Sequence, residues 1–260
     1  MRGISVTRES IEGMPRFVFC SGMPRSGSTW SFNVCRRLLH NAAGAERVFA
    51  DYVGEGKKLD EHINRNGELQ KIQIIKFHYP SQRIVNLVAD DVAKNVFTIR
   101  HPLDAIASAK DVLRLPFDVA LHKIKRSLEA FDVWREKSSS LFVYFDDIMA
   151  DSKRQTRRVA DYLGLTADDA VIERIAEETS FERARATAEK LASMPKERLA
   201  WRDGFYYDAE TLYHIGHAPK GTARDWRTEL SADEQRVAKA ELAPWLASWF
   251  ARGEHAAGDE

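Results

Sequence analysis

Residues Phe17-Val18-Phe19-Cys20 run into Gly22-Met23-Pro24-Arg25-Ser26-Gly27-Ser28-Thr29-Trp30. An apolar run, a glycine-framed turn and the start of a helix follow one another. Such a junction aims successive backbone N–H groups at one spot and sets a helix N-terminus behind them. It makes a ready site for a phosphate or another doubly charged oxyanion.

The glycines at 22 and 27, with Thr29 after them, nearly match the nucleotide-loop pattern G-x-x-x-x-G-K-[ST]. The lysine position holds Ser28, and the loop's cation is Arg25. An ATP or GTP hydrolase needs that lysine on the β/γ-phosphates, with a hydroxyl and an acid on Mg²⁺. A cofactor with no β/γ-phosphates and no metal does not need it. The segment PRSGSTW resembles the 5′-phosphosulfate loop, usually P-K-[ST]-G-[ST]-T-W, of the sulfotransferases that use 3′-phosphoadenosine 5′-phosphosulfate (PAPS). The resemblance implies that Arg25, Ser26, Gly27, Ser28 and Thr29 hold the 5′-phosphosulfate. It also implies Trp30 as an adenine platform, although the spacing of Trp30, Val34 and Leu38 reads equally well as the core face of a helix.

A second element is the buried-strand pattern Val96-Phe97-Thr98-Ile99, followed by Arg100-His101-Pro102 and, eight positions after the arginine, Ser108. Pro102 suits the first turn of a helix, where its missing N–H costs nothing. A guanidinium at the strand end and a hydroxyl two turns into the helix can converge on one phosphate. This resembles the family's 3′-phosphate site, with Arg100 and Ser108 in its roles.

The third element is Ile74-Ile75-Lys76-Phe77-His78-Tyr79-Pro80. Period-two geometry places Lys76 and His78 on one side of the chain. Histidine titrates near neutrality and can take a proton from a hydroxyl. The family's catalytic histidine lies in this K-x-H-x-P pattern, so the resemblance names His78 as general base, with Lys76 and Arg25 offsetting charge on the reacting groups.

Three further segments follow the family order. Tyr144-Phe145-Asp146-Asp147-Ile148 resembles a Y-E-D-[LM] strand end, Thr179-Ser180-Phe181 a turn whose aromatic residue holds adenine, and Lys220-Gly221-Thr222-Ala223-Arg224-Asp225-Trp226 a segment that closes over the 3′-phosphate. Phe145 stands where many relatives carry tyrosine, which removes a hydroxyl contact to the nucleotide. Pro219 stands where that late segment usually has arginine, so Lys220, Arg224 or both take over the 3′-phosphate. Arg25 in place of the usual lysine keeps the charge but does not readily donate a proton, so its help to a leaving group is electrostatic.

Composition agrees with an enzyme of this kind. Lys plus Arg equals Asp plus Glu at 39 each, so no strong overall field favours nucleic acid. No apolar run is long enough to span a membrane and no secretory signal is visible, which together point to the cytoplasm. Cys20 and Cys35 fall in apolar stretches and read as buried thiols rather than a disulfide framework. No Cys/His spacing makes a zinc site; His214 and His217 lack further ligands nearby. No metal is expected.

Strands are expected at 17–21, 72–77, 95–99 and 141–145, and helices at 28–40, 81–90, 102–113, 117–137, 152–163, 168–177, 180–191 and 232–250. Ser152 suits an N-cap and Gly164 a helix stop. This alternation implies an α/β fold with a mostly parallel sheet covered by helices on both faces. One domain over residues 1–260 is expected, with flexible ends at about 1–14 and 253–260. The polar stretch 41–70 and the aromatic-rich stretch 193–222 read as irregular acceptor or lid segments.

The expected function is sulfuryl transfer from PAPS to a hydroxyl, or an amine, of a small-molecule acceptor, leaving 3′-phosphoadenosine 5′-phosphate (PAP). The competing reading is a small-molecule or nucleoside kinase with the same strand-loop-helix opening, which Ser28 argues against. Neither the acceptor nor the oligomeric state is written in these motifs.

Overall fold

The computed structural model describes residues 14–53, 57–66, 71–202, 204–215, 225–247 and 249. A five-stranded sheet with order β2-β3-β1-β4-β5 forms its centre. The strands are β1 (Phe17–Gly22), β2 (Val48–Tyr52), β3 (Ile72–Lys76), β4 (Ala93–Ile99) and β5 (Leu141–Tyr144), and every pairing is parallel. The carboxyl ends of all five therefore lie at one edge.

Alternation along each strand sends side chains to two faces. Phe17 and Phe19 of β1, Ile75 of β3 and Phe97 and Ile99 of β4 enter one core. Helices α3 (Gln82–Ala89), α4 (Pro102–Val112) and α5 (Phe117–Lys137) cover that face, joined by α10 (Trp226–Glu229) and α11 (Ala232–Glu241). Val18 and Cys20, Ile72 and Ile74, Val96 and Val143 enter the second core, under α1 (Ser28–Ala43), α7 (Ser152–Tyr162) and α8 (Asp169–Glu178). The sheet is buried on both sides, which is why its strands read as continuous apolar runs. Trp30, Val34 and Leu38 do share the buried face of α1.

The chain leaves β1 through α1 for β2 at one edge, returns to β3, and then passes to β4 on the other side of β1. The direction of strand addition reverses at β1. Ligands of open α/β sheets bind outside the carboxyl ends at such a switch point.

Several boundaries differ from the sequence reading. The stretch 41–70 contains β2 and the helix α2 (Lys57–Asn66). The strand is short and at an edge, with only Val48 fully buried, so it lacks the apolar run that marks the others. The stretch 193–222 contains a hairpin of β6 (Ala200–Arg202) and β7 (Phe205–Tyr207). Phe145 does not end a strand; β5 stops at Tyr144 and Phe145 opens α6 (Phe145–Ala150). The N-cap of α7 is Asp151, whose carboxylate accepts from the Arg154 N–H at 2.8 Å, and Ser152 is the first helical residue. Gly164 does follow the end of α7, with the Schellman pair Gly164 N–H to Asp161 O and Leu165 N–H to Ala160 O. Finally, α11 closes at Glu241 with a turn at Leu242, two residues before Pro244, and the chain is helical again over 243–247. A proline has no N–H to continue a helix through it. Helix α9 (Phe181–Ala192) starts at the expected turn.

Candidate active site

The phosphate loop is fixed from below. Gly22 ends β1 with φ 152°, and a Cβ there would lie 2.3 Å from Thr98 Oγ1 and 2.6 Å from the Thr98 carbonyl oxygen. Only glycine allows β1 and β4 to meet this closely. The Met23 N–H donates to Thr98 O at 3.0 Å, and the Ser26 N–H to Met23 O at 3.3 Å. The wholly buried Ser26 hydroxyl lies 2.6 Å from Met23 O, 2.9 Å from Thr98 O and 2.8 Å from Thr98 Oγ1. Both polar groups of Ser26 thus serve the loop's own fold. Thr98, the one hydroxyl in the Val96–Ile99 pattern, is the residue that holds the loop, and its polarity in an apolar strand was the signal for it.

Arg25 takes a left-handed conformation, φ 68°. That costs a non-glycine residue roughly 1–2 kcal/mol and is a kind of strain that gathers at functional sites. Its Nε–H donates to Ser108 Oγ at 3.1 Å. The sequence motifs had put Arg25 and Ser108 on different phosphates; the fold brings them into contact. Helix α1 begins at Ser28 after Gly27, and no side chain among the described residues caps its first turn. Its N–H groups and positive dipole end face the loop.

Arg100, just past β4, is 4% exposed and lies over the Phe145 ring at 4.4 Å. A Cβ on Gly27 would meet Ile148 Cδ1 at 3.1 Å and Phe145 Cδ2 at 3.7 Å. The short helix α6 therefore leans on the loop and ties Arg100 to it. Trp30 is buried in the second core, with its indole N–H donating to Ser152 Oγ at 3.3 Å. Phe181 is half-buried at the start of α9, outside both cores, next to Ser180, which accepts from the Arg183 N–H. Lys220, Gly221 and Arg224, like His217, lie outside the described residues. Asp225 and Trp226, which follow them, are described, and the Trp226 N–H donates to the Asp104 carboxylate of α4 at 3.0 Å.

At the end of β3, Lys76 is buried and its ammonium sits 4.8 Å from the centre of the Tyr52 ring. Burial lowers its pKa to about 8, helped by the nearby Arg25 charge. His78 Nδ1 lies 2.8 Å from Gly22 O. A carbonyl only accepts, so Nδ1 carries the proton and Nε2 keeps the lone pair. Burial pushes the His78 pKa down to about 3, with the cations Lys76, Lys123 and Arg25 adding to the effect and the Gly22 bond opposing it. The ring is neutral at pH 7 and fixed in the tautomer of a base. The charges of Lys76 and Arg25 both reach His78, which lies two residues past the end of β3.

The segment after the hairpin is tied to α1 from distant sequence. Asn33 Nδ2 on α1 donates to Thr211 O at 2.8 Å, Arg36 pairs with Glu210, and Leu212 enters the second core. These anchor the segment after the hairpin. His214 bridges to Tyr207, its ring 5.0 Å from Phe205, and its Nδ1 lies 3.0 Å from Ile215 O. Burial lowers its pKa to about 4, and the charges of Arg25 and Lys76 push the same way. The Tyr52 ring stands edge-on 6.4 Å from His78. Tyr52 and His214 lie in the stretches 41–70 and 193–222 read from sequence as acceptor or lid segments, although neither is given an individual role there, because an isolated tyrosine or histidine carries no spacing signal.

Among the described residues no group of His, Cys, Asp and Glu is arranged to hold a metal ion, and no helix is long and apolar enough to cross a membrane. Cys20 and Cys35 are both free and buried.

The family model described as the sulfotransferase domain matches residues 15–249. Sulfotransferase 1B1 of Mus musculus is 22% identical over 201 residues, covering 67% of each chain. Sulfotransferase 1C2 of Oryctolagus cuniculus is 40% identical over 203 residues, covering 68% of each. Among solved structures, retinol dehydratase in complex with retinol and PAP superposes with TM-score 0.60 at 15% identity, covering 91% of this chain and 85% of that one. Mouse sulfotransferase SULT7A1 complexed with PAP gives 0.59 at 15%, covering 91% and 87%. At that identity these structures share the fold.

Proposed function

The chain belongs to the sulfotransferase domain family, and we propose that it moves a sulfuryl group from PAPS to a hydroxyl or amine of a small-molecule acceptor, with His78 as the base. The single observation that carries this is the His78 geometry. A neutral imidazole with Nδ1–H on Gly22 O stands beside an oxyanion loop with its Nε2 lone pair available to take a proton.

The residues present fit that cofactor. Arg25, Lys76 and Arg100 supply cations, and the first turn of α1 is uncapped by any described side chain. PAP is the ligand of both retinol dehydratase and mouse SULT7A1 in their solved structures. In this reading Arg25, Gly27, Ser28 and Thr29 hold the 5′-phosphosulfate, with Ser26 shaping the loop from inside. Arg100 and Ser108 hold the 3′-phosphate, aided by Lys220, Gly221 or Arg224. Trp30, Phe145 and Phe181 frame the adenine. When bound, PAPS supplies the sulfuryl group and a phosphate leaving group.

His78 Nε2 accepts the acceptor's proton as its oxygen or nitrogen attacks. Lys76 and Arg25 offset negative charge at the loop, and burial strengthens that effect. Ser108 holds the Arg25 guanidinium in place before the cofactor arrives. Tyr52 and the Phe205–His214 wall exclude water on the acceptor side. The free buried thiols suit a reducing compartment, and a cytoplasmic location is part of the proposal.

The direct test is PAP release from PAPS with a panel of hydroxyl and amine acceptors in the presence of a chelator. Acceptor-dependent, metal-independent release is expected. Release that needs Mg²⁺, or none with any acceptor class, would refute the reading.

A further inference from the structure

Lys76 is the one buried lysine among the described residues. An ammonium taken out of water needs something to offset its charge. Other lysines of the fold have carboxylates: Lys94 has Asp91 at 2.6 Å, and Lys125 has Glu241 at 2.6 Å. Among the described residues no carboxylate and no hydrogen-bond acceptor is bonded to the Lys76 ammonium. What it has is the Tyr52 ring, with 4.8 Å between Nζ and the ring centroid. An aromatic face attracts a cation through its quadrupole, most strongly where water is excluded.

The fold sets this pair. Tyr52 and Lys76 are register partners at the ends of the parallel strands β2 and β3, so their side chains leave the sheet on one face. The Tyr52 ring packs against the second core from the same face and also stands edge-on to His78. The other titratable and charged groups around Lys76 do not replace the ring. Cys20, its register partner on β1, would be a counter-ion only as a thiolate. Burial, reinforced by a hydrogen bond with Cys35 of α1, pushes that thiol well above its usual range, so it stays protonated. Arg25 in the loop has the same sign as Lys76. Asp51 precedes Tyr52 and so belongs to the opposite face of β2, where its carboxylate lies 4.0 Å from His62 of α2. His78 is neutral. A carboxylate beside Lys76 would cancel the positive charge at the site, whereas a ring face stabilises the ammonium and adds no net charge.

We propose that Tyr52 is a positioning residue: its ring face holds the Lys76 ammonium at the carboxyl edge of the sheet and keeps it protonated to meet the negative oxygens of the cofactor. The last part rests on the sulfotransferase reading of the same site.

The test follows Lys76 itself. The full chain, without cofactor, is made with isotope-labelled lysine and titrated by NMR, the Lys76 resonance being assigned by its loss in Lys76→Gln. The parent should titrate near its lowered pKa of about 8. Tyr52→Leu should lower that midpoint by roughly one pH unit. Tyr52→Phe keeps a ring and should titrate with the parent. Mono-, di- and trifluorinated phenylalanine at position 52 hold the shape while draining electron density from the ring face, and should lower the midpoint stepwise. This series decides the matter even where the leucine variant folds poorly. A midpoint unmoved by fluorination, or a Tyr52→Phe protein that titrates like Tyr52→Leu, overturns the proposal. PAP is then titrated into the parent and Tyr52→Leu at about pH 6 and about pH 8. A lysine is charged below its pKa and loses the charge above it, so the variant should lose up to roughly fivefold in affinity at the higher pH and little at the lower. An equal loss at both overturns the claim that the ring acts through this charge. Failure of PAP to bind at either pH, with the NMR result intact, sinks the cofactor reading and leaves the ring and ammonium as a pair.

Discussion

The loop of residues 22–27 is held by its own neighbours, by Thr98 of the adjacent strand and, through Arg25, by Ser108, while the segment of residues 205–214 is held by Asn33 and Arg36 of α1 and by Leu212 in the second core. The loop's positions are buried at its base and its geometry admits no Cβ at Gly22. The segment carries half-buried aromatic residues, Phe205, Tyr206 and Tyr207. In the proposed reading the phosphate side is fixed by backbone and buried hydroxyl contacts, and the acceptor side by a few side-chain bonds. Helix α1 serves both, with its N-terminus at the loop and its Asn33 and Arg36 bonded to Thr211 and Glu210.

Four experiments bear on that contrast. The largest belongs to the base between the two sides. His78→Ala should lower kcat by about 10²–10⁴ with PAP affinity kept, as read by single-turnover kinetics and PAP titration; full activity on a working acceptor would remove His78 from the mechanism. Next comes the phosphate side. Arg100→Ala removes a charged donor pair and should weaken PAP binding by about 10- to 100-fold, with acceptor KM little moved.

The pH profile is third. Lys76 is charged below its lowered pKa of about 8 and loses that charge as pH rises through it. His78, with a pKa of about 3, is already neutral throughout the working range. The kcat/KM for PAPS should therefore be flat from about pH 5 to pH 7 and fall above about pH 8. An acid limb near pH 6.5 would mean that the histidine is not buried and neutral as described. The smallest effect is on the acceptor side: Asn33→Ala removes one hydrogen bond to Thr211 O, worth about 0.5–1.5 kcal/mol. Acceptor KM should rise several-fold with PAP affinity unchanged. A matching loss of PAP affinity would show that the wall and the loop are not separable.

The same contrast governs what could be read from the chain alone. The loop, the Arg100–Ser108 pair and the Lys76–His78 strand end are local, with fixed spacing, and their apolar strands are unambiguous. The parallel sheet and its two helical layers followed from them. The wall is non-local. Asn33 reaches Thr211 and Arg36 reaches Glu210 from the far end of the sequence, and no period links them. Edge strand β2 was missed because its residues are mostly half-buried, and α6 because Phe145 continues an apolar strand in sequence yet turns to lie under Arg100. The bond between Arg25 and Ser108 was also hidden, since the motifs assign them to different phosphates and only the three-dimensional convergence of β1 and α4 brings them together.

In the proposed reading these residues form a site for a 3′-phosphorylated adenine nucleotide. It is tested most directly by calorimetric titration of the chain with PAP, with AMP and with Mg-ATP. Metal-independent binding of PAP, at least about tenfold tighter than AMP as expected for one added charged contact, is the predicted result. Equal affinity for AMP, or a preference for Mg-ATP, would contradict it.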